Sequence, residues 1–202
     1  MNLSFELLIY AVIAFLVVAA LHGFALAAAA GAMGDSSPRY EGRMTLNPFP
    51  QLDLLGLAAA VLTGAGWIRP VPLLPQHLRL GLLGVVICVI ASLLATVACT
   101  SALLLLRFEA ITRLPDTPAA AAVALLNMIG RMGIWFCLVN VLPIPPLTGG
   151  QILLAVLPGL RDVAERYGTL VSVIMLLVFV GGIPQLLNGW AYGPLALLVF
   201  RP

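Results

Sequence analysis

Few residues of this sequence are of a type that does chemistry, and most of those sit in apolar surroundings. His22 is one of two histidines and lies within the apolar run that opens the chain; an imidazole is the usual base or metal ligand near neutral pH. His77 stands alone in a proline-rich connection and reads as solvated. Cys88, Cys99 and Cys137 are an odd number without paired metal-ligand spacing and read as packing residues. Ser92 and Ser101 have no histidine near them in sequence, and neither a Gly-x-Ser-x-Gly elbow nor a phosphate-cradling glycine loop occurs. Arg131 falls near the middle of an apolar segment, where an arginine costs at least about 2.5–3.5 kcal/mol on insertion scales. It is expected to face protein or water, meeting a buried carboxylate or a partner subunit, unless the segment is shifted and Arg131 lies nearer an interface.

The elements that must position these residues are membrane-spanning. Of 202 residues 62% are apolar and 9% charged, against roughly 25% charged in a soluble domain. A single membrane-embedded domain, residues 1–202, is expected. All ten basic residues are arginine and the net charge is +2, so no basic tract suits nucleic acid. The small-residue run 27–32 imitates a signal-peptidase site, but there is no positive n-region and the apolar run exceeds an h-region, so the segment is expected to be retained.

An all-α integral membrane fold of about five to six apolar segments follows. The first spans about 5–33. Residues 34–53, the most polar stretch, read as a loop, with or without a short hairpin at 43–46. Residues 54–68 are short and glycine-containing, suiting a re-entrant or partial span. Trp67, Arg69 and prolines 70, 72 and 75 read as an interfacial connection. Helices are expected over 78–106 and from about 119 to 142, with a loop at 107–118 between them. Prolines 143, 145 and 146 then end regular helix. A short helix over 148–157, a polar turn at 161–166 and two further apolar segments, 169–183 and 186–200, complete the chain. The small residues 27–31 and 119–122 suit internal helix packing more than an oligomer face. If residues 54–68 are re-entrant, arginines 39, 43, 69 and 79 flank one face against Arg107 and Arg113 on the other, and the positive-inside bias then places the polar loop in the cytoplasm and the N-terminus outside.

Three stretches, in order, resemble the site-2 proteases, intramembrane zinc proteases, and their short bacterial members in particular. The first is His22-Gly-Phe-Ala-Leu26, then Gly34-Asp35 and Gly42-Arg-Met-Thr-Leu-Asn-Pro48, with Asp53 and Gly56 following. These are similar to the family's HExxH helix, Gly-Asp pair, GRLTLNP-like segment and Asp-containing turn. The second, Gly66-Trp-Ile-Arg-Pro-Val-Pro72, is similar to GWAKPVP. The third, Asn140-Val-Leu-Pro-Ile-Pro-Pro-Leu-Thr-Gly-Gly150, is similar to NLLPIPPLDGG. Together they span residues 22–150. The family's Gly-Pro-x-x-Asn element has no recognisable counterpart among residues 88–94.

The resemblance implies a zinc site that these residues do not reproduce. In HExxH, residues four apart share a helix face and hold one zinc while the Glu serves as base. Here the Glu position is Gly23, the second His position Leu26, and the Asp of the third motif is Thr148; Gln51 stands where the family often has His. Of the four chemical positions only His22 is kept. One imidazole does not make the three-ligand site of a catalytic zinc. Zinc and catalysis are therefore expected to be lost, leaving no catalytic residue at His22, Gly23, Leu26 or Thr148.

The expected role is a pseudoprotease in a bacterial inner membrane, a scaffold or complex subunit for a transmembrane partner, with Asn140, Pro143, Gly149, Gly150 and Arg131 as cleft or partner candidates. His22 is either a relic held by a hydrogen bond or a partner contact. Asn140 either keeps the family's substrate-facing turn or satisfies the freed carbonyls of a helix end. Two alternatives stand beside this: an active protease with a rearranged metal site recruiting Asp35 or another subunit's carboxylate, and a small-molecule or ion conduit lined at Arg131 and the broken helices.

Overall fold

The computed structural model describes residues 5–182, with the isolated positions 193 and 196. The segment expected at 186–200, with Pro184 and Pro194, lies outside these apart from the two isolated positions. The described chain is all-helical: α1 (Phe5–Ala32), α2 (Ser37–Tyr40), α3 (Leu54–Thr63), α4 (Gly81–Leu103), α5 (Leu106–Arg113), α6 (Asp116–Asn140), α7 (Gly150–Val156), α8 (Leu160–Arg166) and α9 (Gly168–Val180).

Three of these stretches are long and apolar enough to cross a bilayer: α1, the near-continuous α4 and α5, and α6. The pair α8 and α9, bent by 75°, makes a fourth if taken as one broken span. The chain is an integral membrane protein by this measure. α1 and α4 run antiparallel, with Met33 beside Gly84 and the Arg79 N–H donating to the Met33 carbonyl at 2.8 Å. α6 returns antiparallel to α4, Gly130 against Leu104 and Gly133 against Thr100. A side chain at either glycine would collide with the neighbouring helix, so these small residues set the close α4–α6 approach.

α3 has ten residues, about 15 Å of rise and half a bilayer core, which suits the short apolar segment expected there. Asp53 caps its N-terminus, accepting from the Gly56 N–H at 2.8 Å, and Gly64 ends it in the left-handed conformation at φ 82°.

Residues 65–74 are non-helical and largely buried, which membrane proteins tolerate only where other groups satisfy the backbone. Side chains from distant elements do so. Asn140 donates to the Gly66 carbonyl, Arg43 to those of Arg69 and Pro70, and Arg161 to that of Leu73; Gln151 accepts from the Leu73 N–H. Trp67, expected at an interface, is instead fully buried and packs edge-on against Phe179 at 5.7 Å, because the segment carrying it is folded into the bundle.

Several local expectations are corrected. Residues 107–113, read as loop, are helical in α5, where Glu109 and Arg113 pair at 2.6 Å in the favourable i,i+4 order. Residues 161–166, read as a polar turn, belong to α8. No strand forms at 43–46 or elsewhere among the described residues. Gly42 turns the chain at φ 70°, the Arg43 N–H donates back to the Pro38 carbonyl, and Asn47 Oδ1 caps the Phe49 N–H, so the segment is a compact loop. His77 is not isolated: its Nδ1 lies 3.9 Å from Asp35 Oδ1.

Candidate functional site

α1, α4 and α6 converge on His22, which is fully buried. Nδ1 lies 3.0 Å from Thr96 Oγ1 on α4, and Nε2 lies 2.9 Å from Thr148 Oγ1 in the loop before α7. The Thr96 hydroxyl donates to the Ser92 carbonyl at 2.7 Å. Its oxygen is then the acceptor for an Nδ1–H, which leaves Nε2 as acceptor for the Thr148 hydroxyl. These shortest distances assign the neutral Nδ1–H tautomer. The Nε2 lone pair, the one available to a metal from this tautomer, then accepts from the Thr148 hydroxyl at 2.9 Å, a shorter contact than the 3.4 Å from that hydroxyl to Asn140 Oδ1. Phe136 closes the remaining side, its ring centroid 4.8 Å from that of His22.

Thr148 reaches this position through the tight loop 141–149. Gly149 N–H donates to the Asn140 carbonyl at 2.7 Å. A Cβ at Gly149 would strike the Val141 and Leu142 carbonyls, and one at Gly150 would lie 2.7 Å from the Ile144 carbonyl carbon. Only glycines let the chain fold back this closely. Asn140, the last residue of α6 and fully buried, braces the loop. Its Nδ2 donates to the Gly66 and Phe136 carbonyls at 2.8 and 2.9 Å, and its Oδ1 accepts from the Thr148 N–H at 3.2 Å. The side chain thus satisfies a carbonyl at the helix end, and all its polar atoms are engaged. Pro143 lies at the exposed tip of the loop.

Gly23, one residue along α1, faces Gln51. A Cβ there would lie 2.6 Å from Gln51 Cγ and 2.5 Å from Oε1, so the Gln51 side chain fills the space that a residue larger than glycine would occupy. Gln51 is fully buried and fixed at both ends of its amide: Nε2 donates to the Arg43 carbonyl at 2.7 Å, and Oε1 accepts from Arg43 Nη1 at 3.2 Å. Its own carbonyl accepts from the Arg69 N–H at 2.9 Å. Arg43 is itself buried, and that burial, reinforced by the like charge of Arg69 and opposed by Glu41, lowers its pKa from the ordinary value. Leu26, a turn beyond His22, lies in the apolar core.

The structure therefore brings together His22, Gly23, Asn140, Thr148, Gly149 and Gly150, and adds Thr96 and Gln51. Thr96 was missed because the span around it carries no motif. The available signal was the spacing of Ser92, Thr96 and Thr100, hydroxyls at i, i+4 and i+8 on one face of an apolar helix, all buried. Arg131 is not part of this site. It is exposed on the outer face of α6, its Nη2 3.2 Å from Met128 Sδ. The neighbouring Gly130 and Gly133 are buried against α4, which turns Arg131 outward. Asp35, also considered as a metal ligand, lies beyond the end of α1, which is about 15 Å of helix rise from His22 to Ala32. There Oδ1 accepts from the Ser37 N–H at 2.9 Å. No group of three or more His, Cys, Asp or Glu able to hold a metal ion occurs among the described residues.

No protein-family profile matches the chain, and no solved structure does. Among curated proteins it is 30% identical over 185 residues to the "Putative zinc metalloprotease YwhC" of Bacillus subtilis (strain 168), an alignment covering 87% of this chain and 84% of that protein. The chain belongs to the family of that protein, a site-2 protease-like family of membrane proteins.

Proposed function

We propose that this chain is a metal-free, non-proteolytic member of its family, acting as a membrane scaffold that binds a transmembrane partner or serves as a subunit of a membrane complex. The observation that carries this reading is the 2.9 Å contact between His22 Nε2 and Thr148 Oγ1. The residues present do not fit a zinc ion. A catalytic zinc takes three protein ligands and leaves a position for water, whereas here both nitrogens of His22 face threonine hydroxyls and Leu26 contributes only hydrocarbon. Without Glu at position 23 there is no base at that place, and Gln51 stands in the space.

The alternatives are less well supported. A rearranged metal site recruiting Asp35 needs a carboxylate that lies past the far end of α1. A conduit lined by Arg131 needs an inward-facing arginine, and Arg131 faces outward. For orientation, Arg161 joins Arg69 and Arg79 at the loop end of the bundle by donating to the Leu73 carbonyl. This supports, by the positive-inside bias, a cytoplasmic location for residues 34–53 in a bacterial inner membrane.

The test compares membranes containing the wild-type chain with membranes containing His22→Ala. The scaffold reading expects the same fragment pattern of single-pass membrane proteins in both, with the same polypeptides co-purifying at the same stoichiometry. Cleavage products that appear with wild type and vanish with His22→Ala would defeat it.

A further inference from the structure

Two arginines on the outer face of the bundle, Arg107 and Arg131, have no acidic partner among the described residues. Arg107, at the start of α5, donates through Nη1 to Asn127 Oδ1 on α6 at 3.1 Å. Arg131 lies on α6 four residues after Asn127, hence on the same face. Its guanidinium extends back toward the helix N-terminus to Met128 Sδ at 3.2 Å. Arg107 thus reaches residue 127 and Arg131 residue 128, neighbours on one turn of α6. Both belong to helices apolar enough to span the membrane. Arg131 stands about 13 Å along α6 from its Asn140 end and about 22 Å from its Asp116 end, so its charge is held within the bilayer unless an anion meets it.

The chain itself does not supply that anion. All eight acidic residues are described. Glu109 pairs with Arg113, Glu6 and Asp116 sit in the first turns of α1 and α6, and the other five lie in the loops or in α8. Of these only Glu109 falls inside a spanning stretch beyond its first turn, and it is already paired with Arg113, so a second copy of this chain offers no unpaired carboxylate to Arg131 either. A lipid headgroup does meet the requirement. Guanidinium suits phosphate geometry, and the Arg131 side chain points toward the Asp116 end of α6, where α5 adjoins it, as a snorkelling arginine does.

We propose that Arg107 and Arg131, with the Asn127 amide between them, form a binding site on the outer face of α5 and α6 for the phosphodiester headgroup of an anionic phospholipid. Asn127 Oδ1 and the Leu104 carbonyl, which accepts from Arg107 Nε at 3.0 Å, fix the Arg107 guanidinium, leaving its Nη2 and the Asn127 amide N–H groups to donate to phosphate oxygens. The hydrophobic residues around Arg131 on α6 then lie along the acyl chains.

The test uses the intact protein in detergent, exchanged into equal phosphatidylglycerol and phosphatidylcholine, with lipid retention read by native mass spectrometry. Wild type is expected to retain phosphatidylglycerol selectively. Arg131→Gln, an exposed substitution that removes no internal contact beyond Met128, and Arg107→Gln are each expected to reduce that selectivity about fivefold, the worth of one arginine near an anionic headgroup. Arg131→Lys keeps the charge and is expected to keep most of the selectivity. Equal retention of the two lipids by wild type, or selectivity unchanged in both glutamine variants, would overturn the proposal. So would loss of all bound lipid to a stoichiometric polypeptide whose membrane segment crosslinks to position 131.

Discussion

Gln51 lies directly over Gly23, its Cγ 2.6 Å from where a Cβ on that glycine would stand. The two residues are 28 positions apart, yet the space one lacks is the space the other fills. Because the Gln51 amide is tied to Arg43 by both its ends, it does not swing aside freely.

Gly23→Ala is therefore expected to cost about 1–3 kcal/mol, as overpacking of a tight interior does. Gln51→Ala is also expected to destabilise, since it strips two hydrogen bonds from a buried arginine. The double substitution relieves the clash, so its cost should fall below the sum by at least about 0.5 kcal/mol. Denaturation of the four proteins in one detergent measures this coupling, and strict additivity would mean that the two side chains do not compete for space.

Thr148→Val keeps shape and removes the hydroxyl. It is expected to cost about 1–2 kcal/mol, the range for hydrogen bonds between membrane helices, through loss of the contact with His22 Nε2. Asn140→Asp should cost more, because it turns an Nδ2 that serves the Gly66 and Phe136 carbonyls into a further acceptor facing them. Thermal unfolding should rank wild type, Thr148→Val and Asn140→Asp in falling order; a reversal of the two variants would contradict the bracing role of Asn140.

The glycines divide by what surrounds them. A Cβ at Gly56 would collide with the Trp67 carbonyl, whereas one at Gly31 meets nothing within 4 Å. Gly56→Ala is expected to reduce the yield of folded protein sharply, and Gly31→Ala to leave it unchanged. Monodisperse protein recovered after purification reports both, and similar yields for the two variants would contradict the close α3 contact.

Much of the architecture was legible in the sequence, since long apolar runs define α1, α4 and α6 almost to their ends. The polar helices α5 and α8 were not, because Arg107, Glu109 and Arg113, or Arg161, Asp162, Glu165 and Arg166, read as loop when hydropathy is the signal. Their i,i+3 and i,i+4 charge spacing was the better guide. At the site, motif order pointed to His22, Asn140 and Thr148, but not to their direct contact, which joins residues 126 positions apart. Gln51 looked like a minor departure from a family pattern; its weight comes from Gly23, and that pairing exists only once the 34–53 loop is folded over α1. The outward aim of Arg131 depended on which face of α6 the buried glycines occupy.

Thr148 engages the His22 nitrogen on which a metal would depend. The most direct test of that engagement is the zinc content of the purified intact protein after saturation with zinc and removal of weakly bound metal, measured by elemental analysis for wild type and His22→Ala. Far less than one zinc per chain is expected, the same in both. One tightly held zinc per wild-type chain, lost in His22→Ala, would contradict it.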